Sequence, residues 1–299
     1  MTRKAWILFA IISVFWGIPY LFIKIAVQEI DPIVVVCARV GIAAAVLLPV
    51  AAYRGMLRPL LAHWHSIILL SFIQITIPFL LISYGEQLIS SSLTSILIAS
   101  EPLLVALLAL RFDSSEQVRG LRFIGLLIGI FGVIVLLGLD ISGGVRQFLG
   151  AVMVLLATAG YAAGTLLIKQ PRIASLPSLG VIAVQCLIST VVLLPLSLAR
   201  LPHTMPSVNV LASLLVLGLI CTALAWLVLF ALVAEAGASR STVFTYVNPV
   251  ISVLLGVAFL REPLTITIVS GFLLIIAGSW FSTGGTLPRL RSKTQNHCR

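Results

Sequence analysis

Two side chains in this sequence carry full charge where hydrocarbon surrounds them. Glu101 interrupts the run LTSILIASEPLLVALLAL at residues 93–110, and Arg39 stands in VVVCARVGIAAAVLLPV at residues 34–50. Placing either at the centre of a membrane helix costs about 2.5–3.5 kcal/mol on insertion scales, so both are expected to face protein or water. An acid and a base at such depth suit a gating or structural ion pair, or proton exchange at the carboxyl. A guanidinium neighbour works against protonation, so the ion pair, tying the second apolar run to the fourth, is the preferred reading.

Around that pair, amphipathic side chains recur at similar depth: Trp16, Tyr20, Gln74, Tyr84, Tyr161, Thr165, Thr222, Trp226, Tyr246 and Asn248. Aromatic rings, amides and hydroxyls of this kind suit a site for a small amphipathic solute. Reaction chemistry finds no such support. Neither HExxH nor GxSxG occurs, and Cys37, Cys186, Cys221 and Cys298 show no CxxC spacing. His63 and His65 have no carboxylate or cysteine at metal-ligand spacing, so no catalytic set, metal site or cofactor is expected.

The elements that must position these residues are apolar helices. Hydrophobic residues make up 60% of the 299, charged ones 9%, and mean hydropathy is +1.19, more apolar than a soluble core requires. About ten runs have the length of a bilayer crossing. They fall near 5–27, 33–53, 66–88, 93–111, 120–139, 150–169, 178–199, 209–233, 241–260 and 266–284. The first follows Arg3 and Lys4 but is long, has no small-residue cleavage site behind it and contains Trp16, Gly17 and Pro19, which marks a retained helix. The connections are too short for a separate catalytic domain, so any function is expected inside the helix bundle.

The net charge of +10 is scattered over many loops, which argues against a nucleic-acid partner. It alternates between loops instead. Arg3, Lys4, Arg54, Arg58, Arg111, Arg119, Arg122, Lys169, Arg172, Arg240 and the basic tail fall on one side, and Arg146, Arg200 and Arg261 on the other. The positive-inside rule then predicts both termini in the cytoplasm. Lys24 is expected to extend toward the outer headgroups, and Glu86 and Glu235, near span ends on opposite sides, are candidate solvated gate residues.

The chain also repeats itself. FWGIPYLFIK ending at Lys24 aligns with GYAAGTLLIK ending at Lys169, and the offset persists through Pro49 and Pro195, SEP at 100–102 and VNP at 247–249, Glu116 and Glu262, and Gly125 and Gly132 with Gly271 and Gly278. Five runs per copy is an odd number, so the second copy must cross in the opposite sense. The expected fold is therefore an all-α integral membrane protein of ten transmembrane helices in two inverted five-helix repeats, 1–139 and 150–284, followed by a basic cytoplasmic tail, 285–299. Inverted repeats of this kind build transporter sites near the midplane. Pro78, Pro102 and Pro249 are expected to break helices beside such a site, and the glycines to form close-packing faces. Where the first copy has Arg39 and Glu101, the second has Gln185 and Asn248.

In FWGIPYLFIK, ARVGIAAAVLLP, TSILIASEPLLVALLAL, STVFTYVNPVISVLLGVAFLREPLT and GFLLIIAGSW the chain resembles the EamA-type branch of the drug/metabolite transporter superfamily over essentially its whole length. It departs at RFDSSEQ, where the family commonly has a glycine-glutamate pair. The resemblance implies a carrier of amino acids or related small metabolites in the inner membrane, often outward and without ATP. The expected function is accordingly a secondary transporter working by alternating access, as a monomer or homodimer, with a small-molecule substrate, the lipid bilayer and protons as candidate partners. A passive channel and an intramembrane enzyme acting on lipid or peptide are the alternatives. The first is disfavoured by the lack of charged rings and the second by the lack of a catalytic set.

Overall fold

The computed structural model describes residues 2–112, 120–139, 144–237, 241 and 243–282. Glu116 and the basic tail at 285–299 lie outside these. Among the described residues every regular element is helical. Seven helical runs are long and apolar enough to cross a membrane: α1 (Arg3–Ala26), α2 (Pro32–Tyr53), α3 (Arg58–Leu88), α4 (Ser91–Ala109), α6 (Gly144–Ile168), α7 (Ser178–Leu198) and α8 (Val208–Ala236). Three shorter apolar helices, α5 (Leu121–Leu137), α9 (Phe244–Leu260) and α10 (Ile266–Ser282), occupy the remaining apolar runs.

Helix starts are set by short polar side chains at the ends of apolar runs. Thr2 accepts from Ala5 N at 3.1 Å, Asp31 from Ile33 N at 2.8 Å and Ser90 from Leu93 N at 3.1 Å. Each satisfies an N–H that the first turn of a helix leaves unpaired. Several runs are interrupted inside. A break at Ile18 lets Pro19 open a fresh segment of α1, and α4 is broken at Ala99–Ser100, immediately before Glu101 and Pro102. In α3 a π-helical stretch, Ser71–Thr76, precedes Pro78, and α8 carries its own π stretch, Val216–Leu224. The expected break at Pro249 is not there: α9 runs continuously from Phe244 to Leu260. A proline removes one N–H and does not by itself end a helix that is packed on several sides.

Packing is close where glycines meet. A Cβ on Gly125 would lie 2.9 Å from Gly278 O, and one on Gly132 would lie 3.1 Å from Gly271 O, so α5 and α10 approach backbone to backbone. Gly85 in α3 and Gly150 in α6 form a second seam, each with its absent Cβ about 3 Å from the other's carbonyl. The helices α2 and α7 share the largest buried cluster, built on Val36, Val40, Leu47, Ile182 and Leu193. Remaining neighbours include α1 with α8 and α9, α6 with α3 and α4, α2 with α8, and α7 with α3.

At one end of the bundle, polar groups join residues from the two copies. Ser207 N and Oγ donate to the Glu29 carboxylate at 2.8 and 2.6 Å, and Arg200 pairs with Asp31 at 3.0 Å. The Glu262 carboxylate accepts from Ser91 N at 2.7 Å and Ser92 N at 3.0 Å, capping α4 from the loop after α9. Lys24 does not reach toward headgroups; its Nζ donates to the carbonyls of Glu86 and Ile89 at the end of α3, where a cation also suits the helix dipole. Glu86 is likewise no solvated gate, since its side chain is 0% exposed. At the opposite end Glu235 accepts from Thr2 Oγ1 at 2.8 Å and pairs with Lys4 at 3.4 Å.

Candidate functional site

The interruptions converge on one cavity of about 350 Å³. Trp16, Pro19 and Tyr20 reach it from the break in α1, Glu101 from the break in α4, Gln74 from the π stretch of α3, and Cys221 and Thr222 from that of α8. Arg39 enters from α2, Tyr161 and Thr165 from α6, Trp226 from α8, and Phe244, Thr245 and Asn248 from α9. A π stretch shifts the register of the helix wall, which is how α3 and α8 turn an amide and a hydroxyl toward the interior. Gly164 leaves room for one of them: an added Cβ there would lie 3.2 Å from Gln74 Cβ and Cγ.

The two charged residues share the cavity without pairing. Among the described residues no ion pair joins Arg39 to Glu101, which corrects the expected partnership. Arg39, 8% exposed, donates from Nε to Thr222 Oγ1 at 2.9 Å and lies 4.0 Å from the centre of the Phe79 ring. Thr222 in turn donates to Leu217 O at 2.8 Å, five residues back, the spacing a π turn creates. Glu101 Oε1 accepts from Thr165 Oγ1 at 3.1 Å. Hydrogen bonds and the ring face therefore stand in for the missing counter-charge.

The amides in the second copy are held in a matching way. Gln185 Nε2 donates to Gln74 Oε1 at 3.4 Å, and the Asn248 amide N–H groups donate to Phe244 O at 3.0 Å and Ser13 O at 3.1 Å. Each of the four residues thus ties its helix to a different one: α2 to α8, α7 to α3, α4 to α6 and α9 to α1. On the apolar side of the cavity Trp16 stands edge-on to Trp226, centroids 5.2 Å apart, and to Phe244 at 5.1 Å.

Of the residues proposed from sequence, Trp16, Tyr20, Gln74, Tyr161, Thr165, Thr222, Trp226 and Asn248 line this cavity together with Arg39 and Glu101. Tyr84 and Tyr246 are elsewhere. Tyr84 packs against the core shared by α2 and α7, and Tyr246 lies against Trp280 of α10 with ring centroids 6.0 Å apart. Phe79, Phe244 and Thr245 line the cavity and were not singled out. Position beside Pro78 was the available signal for Phe79; the other two carry none that separates them from ordinary helix residues. A second cavity of about 330 Å³ shares Gln74 and Trp226 with the first and extends to the exposed Lys169.

The duplication has a direct counterpart among known proteins: the model of the EamA-like transporter family matches residues 4–138 and again 148–284. The chain belongs to the EamA-like transporter family. Similar proteins are named as transporters. An uncharacterized transporter of Bacillus subtilis, YvbV, is 28% identical over 98% of this chain and 94% of its own length. An uncharacterized inner membrane transporter of Escherichia coli, YedA, is 26% identical over 84% of this chain and 81% of its own. A further E. coli protein, named a probable amino-acid metabolite efflux pump, is 26% identical over 57% of this chain and 55% of its own length. As an EamA-like protein the chain is a multi-pass membrane protein of a transporter family, with inner-membrane relatives.

Proposed function

We propose that this EamA-like protein is a secondary transporter that exports amino acids or related small metabolites by alternating access, with the central cavity as its solute site. The observation that carries the reading is the makeup of that cavity. It is walled by both copies of the repeat, enclosed by aromatic rings, and furnished with an acid, a guanidinium, two amides and five hydroxyl groups deep inside an apolar bundle. An amphipathic solute with an ammonium and a carboxylate finds Glu101 for one and Arg39 for the other. The name of the E. coli efflux relative supports the same solute class and the outward direction.

The helix contacts support ten crossings in two inverted repeats. Exchanging the first five helices for the last five turns the α1 contacts with α8 and α9 into the α6 contacts with α3 and α4, and the α2–α8 contact into α7–α3. The α2–α7 and α5–α10 pairs map onto themselves. A pseudo-twofold axis produces such a pattern, and superposing 6–138 on 150–283 with reversed membrane orientation tests it. In this arrangement the helix ends near Arg3 and Ser282 face the cytoplasm.

The protein in this structure reads as the inward-facing state. Glu29–Ser207, Asp31–Arg200 and Glu262 on α4 tie the copies together at the outer end, and the second cavity leads from the centre toward Lys169 at the inner end. Flux of a labelled amino-acid and metabolite panel in proteoliposomes, with and without a pH gradient, tests the function. Saturable flux of at least one solute, strongly reduced in Arg39→Gln, is expected. Flux indifferent to the gradient removes proton coupling through Glu101, and no flux of any panel member contradicts the proposal.

A further inference from the structure

The second cavity, on the route from the centre toward Lys169, carries placed polar groups of its own. That second cavity, about 330 Å³, is nearly as large as the first and opens at the connection between α6 and α7, beside the exposed Lys169. Its walls are apolar apart from a few placed groups: Lys169 and Ser178 at the mouth, and Gln74 and Gln185 at the inner end next to Trp226 and Phe230. Gln185 is seven residues into α7 from Ser178, roughly 10 Å deep at the helical rise. Its side chain is 0% exposed, and its amide oxygen has no hydrogen-bond partner among the described residues. Leaving a buried acceptor unpaired costs about 1–3 kcal/mol, a cost that a ligand donor would remove. Among the described residues that line this cavity there is no carboxylate, so the cation at its mouth is not neutralised from within.

We propose that the second cavity is a loading site, in which an apolar amino acid binds before it enters the central cavity. Lys169 draws in the solute carboxylate, the Gln185 amide oxygen accepts an N–H of its ammonium, and the apolar side chain lies against Trp226 and Phe230. Gln74 and Trp226, which belong to both cavities, form the partition the solute then passes. Gly164 packs directly on Gln74, and a side chain there would crowd that amide. The inference rests on the transport reading for the steps after loading, though binding at this site is measurable without flux.

Val181 lines the second cavity, and Val181→Cys places a thiol there; the native Cys221 lines the central one. In sided membrane vesicles of the full-length chain, an anionic methanethiosulfonate reagent is applied from the Lys169 face, and residue-resolved mass spectrometry separates the two thiols. The probe is an equimolar mixture of leucine, isoleucine, methionine and phenylalanine. It is expected to slow labelling at position 181 at least about threefold, and Gln185→Leu to raise the half-protecting concentration about fivefold or more, the loss of one charge-assisted hydrogen bond. Asn248→Ala, in the central cavity, should leave that concentration within about twofold. Lys169→Gln, at an exposed position that leaves the core intact, should slow the anionic reagent relative to a cationic one, and less so in high salt. No labelling, no protection, or protection untouched by Gln185→Leu overturns the loading site. Protection without flux of any member keeps it and refutes the transport reading, whereas flux without protection does the reverse.

Discussion

The two copies of the repeat agree at their seams and disagree in the cavity they share. At α5 and α10, Gly125 and Gly132 face Gly278 and Gly271, and the contact is the same read from either copy. To the central cavity the first copy supplies Arg39 and Glu101, while of the matching residues in the second copy Asn248 lines it and Gln185 lines the neighbouring one. Geometry is retained even so. Arg39 reaches the π stretch of α8 as Gln185 reaches that of α3, and Glu101 bonds into α6 as Asn248 bonds into α1. Shared packing with divided charge is what a solute with two unlike ends calls for, since a fully symmetric site would offer the same group twice.

The comparison breaks most sharply at Arg39. Arg39→Gln gives the first copy the residue of the second, and removes a buried charge-assisted hydrogen bond and a cation–π contact. Those are worth about 1.5–3 kcal/mol, so flux per folded molecule should fall roughly 10- to 100-fold. Equal flux would mean that the charge asymmetry serves packing only. The seam is tested by Gly132→Leu, which forces a side chain against Leu274 and the Gly271 carbonyl. Overpacking costs about 1–3 kcal/mol, so the expected result is a melting temperature several degrees lower, with flux reduced only in proportion to folded protein. Unchanged melting would show that the helices separate easily there.

Glu101→Gln sharpens the acid side of the comparison. One hydrogen bond from Thr165 survives in weaker form, so flux should drop by roughly tenfold. Its response to pH should flatten as well, because the titrating group in the cavity has gone. A variant that keeps the wild-type pH profile would assign that response to another residue.

The predictions also mark what the sequence could carry. Helix positions were legible because the bilayer imposes length and apolarity on each run, and each of the ten apolar runs holds a helix. The glycine faces were legible because small residues at helical spacing have few other uses. The Arg39–Glu101 pairing was not, because two positions that change together across a duplication need not touch; here each reaches a separate helix. Depth along a helix likewise left its azimuth open, which is why Tyr246 turns to Trp280 and Tyr84 to the α2–α7 core. The π stretches at Ser71–Thr76 and Val216–Leu224 share no residue signature, and they aim Gln74 and Thr222. Pro249 had the signature of a break and stays helical.

The smallest expected effect lies at the end of the bundle where Glu29 meets Ser207. Ser207 hydrogen bonds hold the Glu29 carboxylate below the usual carboxylate range. A lowered folded-state value means the contact contributes above the unfolded-state pKa and is lost as pH falls through the folded one. Glu29→Gln should therefore shift the balance of inner and outer labelling slightly at neutral pH and not at all in strong acid. An effect that grows on acidification would reverse the assignment.

The central claim is that one cavity, furnished unequally by two like halves, is exposed to one side of the membrane at a time. Solute counterflow tests it most directly. Proteoliposomes loaded with an unlabelled amino acid that the protein moves, then diluted into a trace of the labelled form, should accumulate label transiently above its equilibrium level. Arg39→Gln should abolish the overshoot. Label that enters only to equilibrium would mark a passive channel, and label recovered as a different compound would mark an enzyme; either result contradicts the account.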